Sequence, residues 1–221
     1  AMCYNSFGSF KCVCFAQEDV LSDDGLSCGP PQQLVSPEVI GQIESWISPT
    51  ATLTQACFQL EPTVYVSDFK SLCYKGPTVT IIKSTDGHVF GGYTNTEWGT
   101  VMNTGGLGND CSSFLFQIKP NAVKLPYNGD MGCDNEIQLK YGYGPSFGNG
   151  ALELVDPMYS MDGGCNMRDK YCGYATISQY FEPMTGEETV AGDTMDSFQD
   201  MSLREGYFTF ESYEIWNVNL N

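Results

Sequence analysis

The stretch GPTVTIIKSTDGHVFGGYTNTEW, residues 76–98, decides the fold of this chain. Its first part is rich in β-branched residues, and Val79 and Ile81 fall on one face of a strand because side chains alternate with a period of two. A turn follows at residues 85–87, in which Gly87 takes a positive φ at no steric cost. Because apolar residues resume directly after this turn, the stretch predicts a β-hairpin.

Two features of the return strand predict close packing. The pair Gly91-Gly92 predicts a bulge or a close approach of another segment, since glycine presents no side chain to the sheet surface. Trp98 is large enough to close one end of a hydrophobic core.

Together with Lys75, which precedes it, this stretch resembles the TLDc family, whose usual form is KGPT, a short apolar strand, a DG turn, VFGGY and a tryptophan. Lys75 is the first residue of the KGPT match. Four further matches follow in the family's order: FKSLC at 69–73, FLFQI at 114–118, GPSFGNG at 144–150 and EIWNV at 214–218. The resemblance covers about residues 48–221. Many short strands with turn signals predict a mainly β fold, a two-sheet antiparallel β-sandwich with a few flanking helices, and the resemblance implies its topology.

Composition limits the function classes. Acidic residues outnumber basic ones 27 to 10 in the 221 residues, which gives a net charge of −17. This charge argues against binding to nucleic acid or to anionic membrane surfaces, because both need clustered Lys and Arg. It permits hard cations, Ca²⁺ above all, while the alternative is an acidic surface that binds nothing. No apolar run approaches the length of a membrane span, so we expect no direct insertion into a membrane.

Ten cysteines predict disulfides and an oxidising compartment, so we expect an extracellular protein, secreted or at the cell surface. The spacing in residues 3–28 resembles the second half of a calcium-binding EGF-like module, with Cys3, Cys12, Cys14 and Cys28. In that family the last two pair, which implies Cys14–Cys28, while Cys3 and Cys12 are candidates to pair with each other. We therefore predict a partial EGF-like segment at 1–29, a linker and amphipathic helix at 30–47, and a TLDc-like domain at 48–221.

Two helices are predicted before the hairpin. Pro37 suits the first helical position, and one apolar stripe follows at i, i+4, i+7 and i+8: Val39, Ile43, Trp46 and Ile47. This stripe packs on the β domain or, alternatively, binds a partner. A short helix at 67–72 is expected to face Phe69 and Leu72 inward. Cys57 and Cys73 flank it and are candidates to staple it.

Two acidic, turn-rich loops are candidate metal sites. The loop 128–136 offers Asn128, Asp130, Asp134 and Glu136, and the loop 156–169 offers Asp156, Asp162 and Asp169. Carboxylate and amide oxygens suit Ca²⁺, although neither loop has EF-hand spacing. Cys111 with Cys133, and Cys165 with Cys172, are candidate bridges that pin these loops, but the connectivity stays open. The alternative is a pair of solvated, disulfide-pinned loops.

The last strand places Phe208 and Phe210 on one face and Tyr213 and Ile215 on the other. Either a bulge near position 212 shifts the alternation, or the strand is buried on both faces. Glu214 is then buried and needs a partner, for which we consider Lys83, Lys119 or backbone donors.

The sequence contains no motif that is typical of a catalytic site. His88 is the single histidine, beside a turn where we expect it to be exposed, and it belongs to no nucleophilic triad or multi-histidine metal site. We therefore predict a non-enzymatic extracellular recognition or adhesion module that binds a protein or glycan, with Ca²⁺ as a candidate cofactor. Tyr141 and Tyr143 are candidates to stack on sugars, although core packing is the alternative.

Other functions remain open at this stage. One is a carboxylate-dependent hydrolase, which needs two converging acids. Another follows from the resemblance, which implies the oxidation-resistance role and the binding to V-type ATPase of intracellular TLDc proteins. The last alternative is a purely structural spacer.

Overall fold

The structure is a computed structural model of the chain. It describes residues 2–6, 9–13, 20–21, 28–29, 34–59, 68–98, 111–127, 137–138, 143–148, 151–155, 172–175 and 207–220. The chain divides into two compact units, residues 1–36 and 37–221. The predicted boundaries at residues 29 and 47 stay predictions.

The first unit contains two short antiparallel pairs. Strand β1 (Met2–Ser6) pairs with β2 (Ser9–Val13), with Cys3 directly opposite Cys12 in the register. Strand β3 (Val20–Leu21) pairs with β4 (Cys28–Gly29). These pairs leave the EGF-like segment unconfirmed.

The second unit is mainly β, as predicted. Its elements in chain order are α1 (Pro37–Ile47), β5 (Ala51–Gln59), α2 (Phe69–Leu72), β6 (Thr78–Ser84), β7 (Val89–Thr94), β8 (Phe114–Lys119), β9 (Val123–Pro126), β10 (Ile137–Gln138), β11 (Tyr143–Phe147), β12 (Leu152–Val155), β13 (Cys172–Ala175) and β14 (Tyr207–Leu220). Helix α1 has the predicted start and end, while α2 is shorter than expected.

All pairings between the described strands of this unit are antiparallel, and they connect ten strands in one hydrogen-bonded series. The order is β10-β11-β12-β13-β14-β6-β7-β8-β9, with β5 also paired to β14. Two separate sheets are therefore not confirmed. The strand β14 joins the two halves, because its first residues pair with β13 while its remainder lies between β6 and β5.

The predicted irregularity in the last strand is present. The register between β14 and β6 shifts between Phe210 and Ser212, which confirms a bulge there. Beyond the bulge, Tyr213, Glu214 and Ile215 are all buried. Both interpretations of the sequence therefore hold, since the strand is bulged and also covered on both faces.

The predicted hairpin is confirmed. β6 and β7 pair from Thr78 opposite Thr94 to Lys83 opposite Val89. The turn between them places Gly87 at a φ of 93°, and the Gly87 amide donates to the Ser84 carbonyl at 3.1 Å. A positive φ of this size favours glycine, which is why the turn lies at this position.

The pair Gly91-Gly92, which we call the glycine notch, allows close approach from two aromatic rings. A Cβ on Gly92 would lie 2.8 Å from the ring of Phe147 in β11, and one on Gly91 would meet the Thr80 carbonyl and come within 2.9 Å of Phe116. The β11 end of the series therefore packs directly on β7. This confirms the predicted close approach.

Trp98 closes the core, as predicted. Its side chain is fully buried, with ring centroids 5.3 Å from Phe69 and 6.0 Å from Phe147, both in edge-to-face geometry. Its indole nitrogen donates to the Thr78 hydroxyl at 2.9 Å, which satisfies the one polar group that burial would otherwise leave unpaired.

Helix α1 packs on the sheet of its own unit. Ile43 is fully buried, and the Trp46 ring lies 6.2 Å from that of Phe116 in β8. The Lys124 ammonium donates to the Trp46 carbonyl at 2.6 Å, and burial lowers the pKa of this lysine. A cation at a helix C-terminus is favoured by the helix dipole. The stripe thus has an intramolecular partner.

Neither of the helices in the described ranges is long and apolar enough to cross a bilayer.

The first prediction concerns the glycine notch. We expect Gly92→Ala to destabilise the protein by about 1–3 kcal/mol, because the new methyl group overpacks the Phe147 ring. For a chain of this size, each kcal/mol lowers the melting temperature by about 2–4 °C.

The matched control is Gly41→Ala. Gly41 lies in α1, and a methyl group added there would meet nothing within 4 Å, so alanine should stabilise the helix by up to about 1 kcal/mol. Thermal unfolding by circular dichroism measures both variants. Equal shifts of the melting temperature in the same direction would contradict the predicted overpacking at Gly92.

Candidate functional site

The most distinctive surface of the second unit follows α2. Leu72 is 59% exposed and Tyr74 is 43% exposed, and the one other large exposed hydrophobic residue in the described ranges is Leu220, at 45%. We call residues 70–75 the α2 ridge. It presents two apolar side chains on either side of the buried Cys73.

The expectation that Leu72 faces inward was wrong. Phe69 and Cys73 are the inward pair, with exposed fractions of 0% and 1%. These residues are four apart and therefore share a face of the helical turn. Because Cys73 occupies the inward position, Leu72 is rotated by about 100° away from the core.

Three contacts hold the first part of the ridge. Phe69 lies under Trp98, and the Cys73 amide donates to the Phe69 carbonyl at 2.8 Å. A disulfide joins Cys73 to Cys57 in β5, with their Cα atoms 5.4 Å apart. This is the pair that flanks α2 in the sequence. The helical turn is thereby attached both to the core and to a strand.

The end of the ridge is also held. Gly76 takes a φ of 74°, a conformation that glycine adopts without strain. The next residue, Pro77, accepts a 3.0 Å hydrogen bond from the Val218 amide of β14. Leu72 and Tyr74 therefore project from a backbone that is fixed on both sides.

The ridge carries positive charge in an acidic chain. Residues 70–75 include Lys70 and Lys75 and no acid, whereas the whole chain has a net charge of −17. The Lys75 ammonium lies 5.3 Å from the centre of the Tyr74 ring. In the described part of the chain, no carboxylate forms an ion pair with Lys75. Lys75, which lies beside exposed apolar side chains, is suited to contact a carboxylate of a partner that has apolar residues next to it.

A second polar cluster occupies the hairpin turn. The Ser84 hydroxyl donates to Asp86 and also contacts the backbone of His88. His88 Nδ1 lies 3.0 Å from the Asp86 carboxylate, as an ion-pair contact without hydrogen-bond geometry. The His88 side chain is 24% exposed, so the expectation of a plainly exposed histidine was wrong.

The environment of the hairpin turn lowers the pKa of the Asp86 carboxyl group. Burial raises the pKa of Asp86, but the Ser84 hydroxyl and the neighbouring His88 lower it further, so the pKa lies below its ordinary value of 3.8. Hydrogen bonds and positive charge both favour the ionised form. The fold therefore stabilises the carboxylate.

The hairpin end is fastened to β14. The Thr85 amide donates to the Thr209 carbonyl at 3.0 Å, and their hydroxyl groups lie 2.5 Å apart. Lys83 forms a 2.6 Å ion pair with Glu211. These contacts give the cluster a structural role, since they connect the turn to the central strand.

Glu214 has a partner that the sequence did not reveal. Its carboxylate accepts a 2.9 Å hydrogen bond from the Trp216 indole nitrogen. Lys83, one of the expected partners, pairs with Glu211 instead. Glu214 is thus a buried acid that shares a hydrogen bond with the residue two positions along the same strand.

The predicted metal and sugar sites lie outside the described residues. This holds for Asn128, Asp130, Asp134, Glu136, Asp156, Asp162, Asp169 and Tyr141, while Tyr143 is described only as the first residue of β11, opposite Val155. Among the residues that the structure describes, no three His, Cys, Asp or Glu side chains group to hold a metal. The Ca²⁺ and sugar sites stay predictions.

Cys111 and Cys172 are also disulfide-bonded. Cys133 and Cys165, their proposed partners, lie outside the described residues, so both pairings stay predictions. The side chains of Cys3, Cys12, Cys14 and Cys28 are likewise not described.

Sequence reasoning missed the ridge because Lys75 was considered only as the start of the KGPT motif. A usable signal was present in FKSLCYK, where the i, i+4 pair of Phe69 and Cys73 turns both neighbours of the cysteine outward. The disulfide to β5 decides whether Cys73 or Leu72 is the residue of this helical turn that faces the core.

The fold and the ridge together define a small β domain whose hairpin, glycine notch and buried tryptophan set its architecture. A family model described as the TLDc domain matches residues 30–219, so the chain belongs to the TLDc family. The chain is also similar to the MTOR-associated protein MEAK7 of Gallus gallus, with 27% identity over 156 residues. That match covers 68% of this chain and 28% of the relative.

The comparison corrects the predicted location. The similarity to a protein named as MTOR-associated points away from an extracellular, secreted or cell-surface location, so that prediction was wrong. The prediction relied on the number and spacing of cysteines. These features indicate that disulfides can form, and they are only an indirect sign of the compartment.

A further prediction concerns the disulfide of the ridge. Replacing both cysteines, as Cys57→Ser with Cys73→Ser, should destabilise the second unit by about 3 kcal/mol, because the bridge closes a loop of 16 residues. Urea unfolding measures the loss. Thr52→Ser, on the exposed face of the same strand, is the control and should change the free energy of unfolding little. An unchanged double variant would show that the bridge does not constrain α2.

The hairpin cluster predicts a pH dependence. Because the folded-state pKa of Asp86 lies below its ordinary value of 3.8, the ionised carboxylate stabilises the fold above that value. The contribution is lost as the pH falls through the folded-state pKa. Asp86→Asn should therefore melt below the wild type at pH 7, and the difference should shrink as the pH falls below 3.8.

Thermal melts across a pH series check this. Ser84→Ala removes the donor to the carboxylate and should reduce the pH dependence that Asp86 contributes. A melting difference that is the same at every pH would contradict the assignment.

Proposed function

We propose that this chain is a non-enzymatic protein-recognition domain that contacts a partner protein through the α2 ridge. The observation that carries the proposal is the rigid presentation of Leu72 and Tyr74, which are exposed although the residues between and beside them are anchored. Because the backbone that carries these side chains is already fixed, binding does not have to order it, which lowers the entropic cost of association. Tyrosine in particular is enriched among the residues that contribute most to protein interfaces.

The family membership agrees with a binding function without deciding it, since one fold supports many activities. The relative is named as an MTOR-associated protein. By analogy, we propose that the partner of this chain belongs to an assembly associated with MTOR. Because the match covers 28% of the relative, this part of the proposal concerns the matched region alone.

The carboxylate-dependent hydrolase is not favoured by the buried acids that the structure describes. Glu153 lies in β12 and Glu214 in β14, and both side chains are buried. Glu214 also accepts a hydrogen bond from the Trp216 indole. Neither carboxylate is therefore open to a substrate.

The test uses a photoreactive side chain in cells. Replacing Leu72 or, separately, Leu220 by benzoylphenylalanine places the same reactive group on two exposed positions of one protein. We expect discrete cross-linked products from position 72 and few from position 220. Products that contain a component of an MTOR assembly would support the second part of the proposal.

Two outcomes would contradict it. An absence of protein adducts at position 72, with adducts at position 220, would remove the ridge from the interface. Turnover of a substrate by the purified chain, retained in a ridge variant, would contradict the non-enzymatic assignment.

A further inference from the structure

We infer that the α2 ridge binds a partner segment that carries apolar side chains next to carboxylates. This inference rests on the proposed function and adds the chemistry of the partner. It follows from three properties of residues 70–75: exposed apolar groups, a fixed backbone, and a positive charge at Lys75 that no described carboxylate pairs with.

The apolar part of the ridge calls for an apolar partner group. Leu72 and Tyr74 flank one buried residue, so their side chains leave the same short stretch of backbone. Single exposed hydrophobic residues are ordinary on protein surfaces, as at Leu220. Leu72 and Tyr74 are two such residues within three positions, and a partner's apolar side chain that packs on either one would lose contact with water.

The charge of the ridge selects the polar part of the partner. Lys70 and Lys75 lie in this stretch, and the Lys75 ammonium contacts the Tyr74 ring at 5.3 Å. A partner carboxylate that pairs with Lys75 therefore lies next to the Tyr74 ring. An apolar residue beside that carboxylate in the partner then contacts Tyr74. The partner then places acidic and apolar residues close together in its sequence.

The net charge of −17 does not oppose this arrangement strongly. At physiological ionic strength, charges more than about 8 Å away are largely screened, so Lys75 dominates the contact. Asp68 directly precedes α2 and limits the positive field on that side. The Lys75 end is consequently the one that receives the carboxylate.

The experiment selects peptides on the intact chain. A random peptide library displayed on phage is enriched on the immobilised wild-type protein, and the recovered sequences are synthesised with a fluorescent label. We expect recovered peptides to contain Asp or Glu beside Leu, Phe or Trp. Fluorescence anisotropy then gives their dissociation constants for the wild type and for the variants.

Three ridge variants test the placement: Leu72→Ser, Tyr74→Ser and Lys75→Glu. Each should weaken binding by about tenfold, while Leu220→Ser, at a comparably exposed leucine, should leave it within about twofold. The wild type should lose affinity at high salt, whereas Lys75→Glu should not, because salt screens an attraction in the wild type and a repulsion in the variant. All four positions are on the surface, so melting temperatures near that of the wild type show that each variant is folded.

Several results would overturn the inference. These are recovery of peptides without acids, recovery of no peptide, or affinities that the ridge variants leave unchanged. Peptides without acids that the ridge variants weaken would leave the proposed function standing and overturn only the partner chemistry. Peptides that bind but ignore the ridge variants would overturn the ridge as the interface in both proposals. A dimer in sedimentation velocity that Leu72→Ser abolishes would assign the ridge to a second copy of the chain. Binding to anionic vesicles that Lys75→Glu abolishes, without peptide binding, would assign it to a lipid surface.

Discussion

The packing of two aromatic rings against Gly91 and Gly92 is the contact on which the rest of the structure depends. A Cβ on either glycine would lie within 3 Å of a ring, at Phe116 for the first and at Phe147 for the second. Protein interiors are packed as densely as organic crystals, so such space cannot be recovered by small adjustments. Phe147 brings the β11 end of the strand series onto the hairpin, and Phe116 supports Trp46 of α1. The hairpin therefore positions both a helix and the opposite half of the unit.

The candidate site follows from this arrangement. Trp98 lies at the end of the hairpin stretch, contacts Phe147 and covers Phe69, which anchors α2. The disulfide between Cys57 and Cys73 adds a covalent attachment to β5, and β5 is itself paired with the central strand β14. The ridge is thus a surface feature that the core holds in place. This is the property that makes it suitable for recognition, because groups that are already ordered cost less to bind.

Membership of the TLDc family establishes the fold more firmly than the activity. The chain matches 28% of the length of an MTOR-associated relative, so the functions of the remaining length do not transfer to it. The chemistry of the partner has to be argued from the exposed residues of this chain. In this protein those residues are Leu72, Tyr74 and Lys75, and they differ in kind from the polar cluster at the hairpin turn, whose described contacts are all internal.

The sequence by itself determined the hairpin, the bounds of α1, the glycine notch and the burial of Trp98. Each of these depends on residues close together in the chain, through periodicity, turn geometry or side-chain size. Only the tertiary structure decided that Leu72 points outward and that β14 joins the ten described strands into one series. The phase of α2 depends on a cysteine 16 positions away, and the strand order depends on pairings across more than a hundred residues. Local patterns carry no information about which distant segments meet, and those meetings decide which side chains remain at the surface.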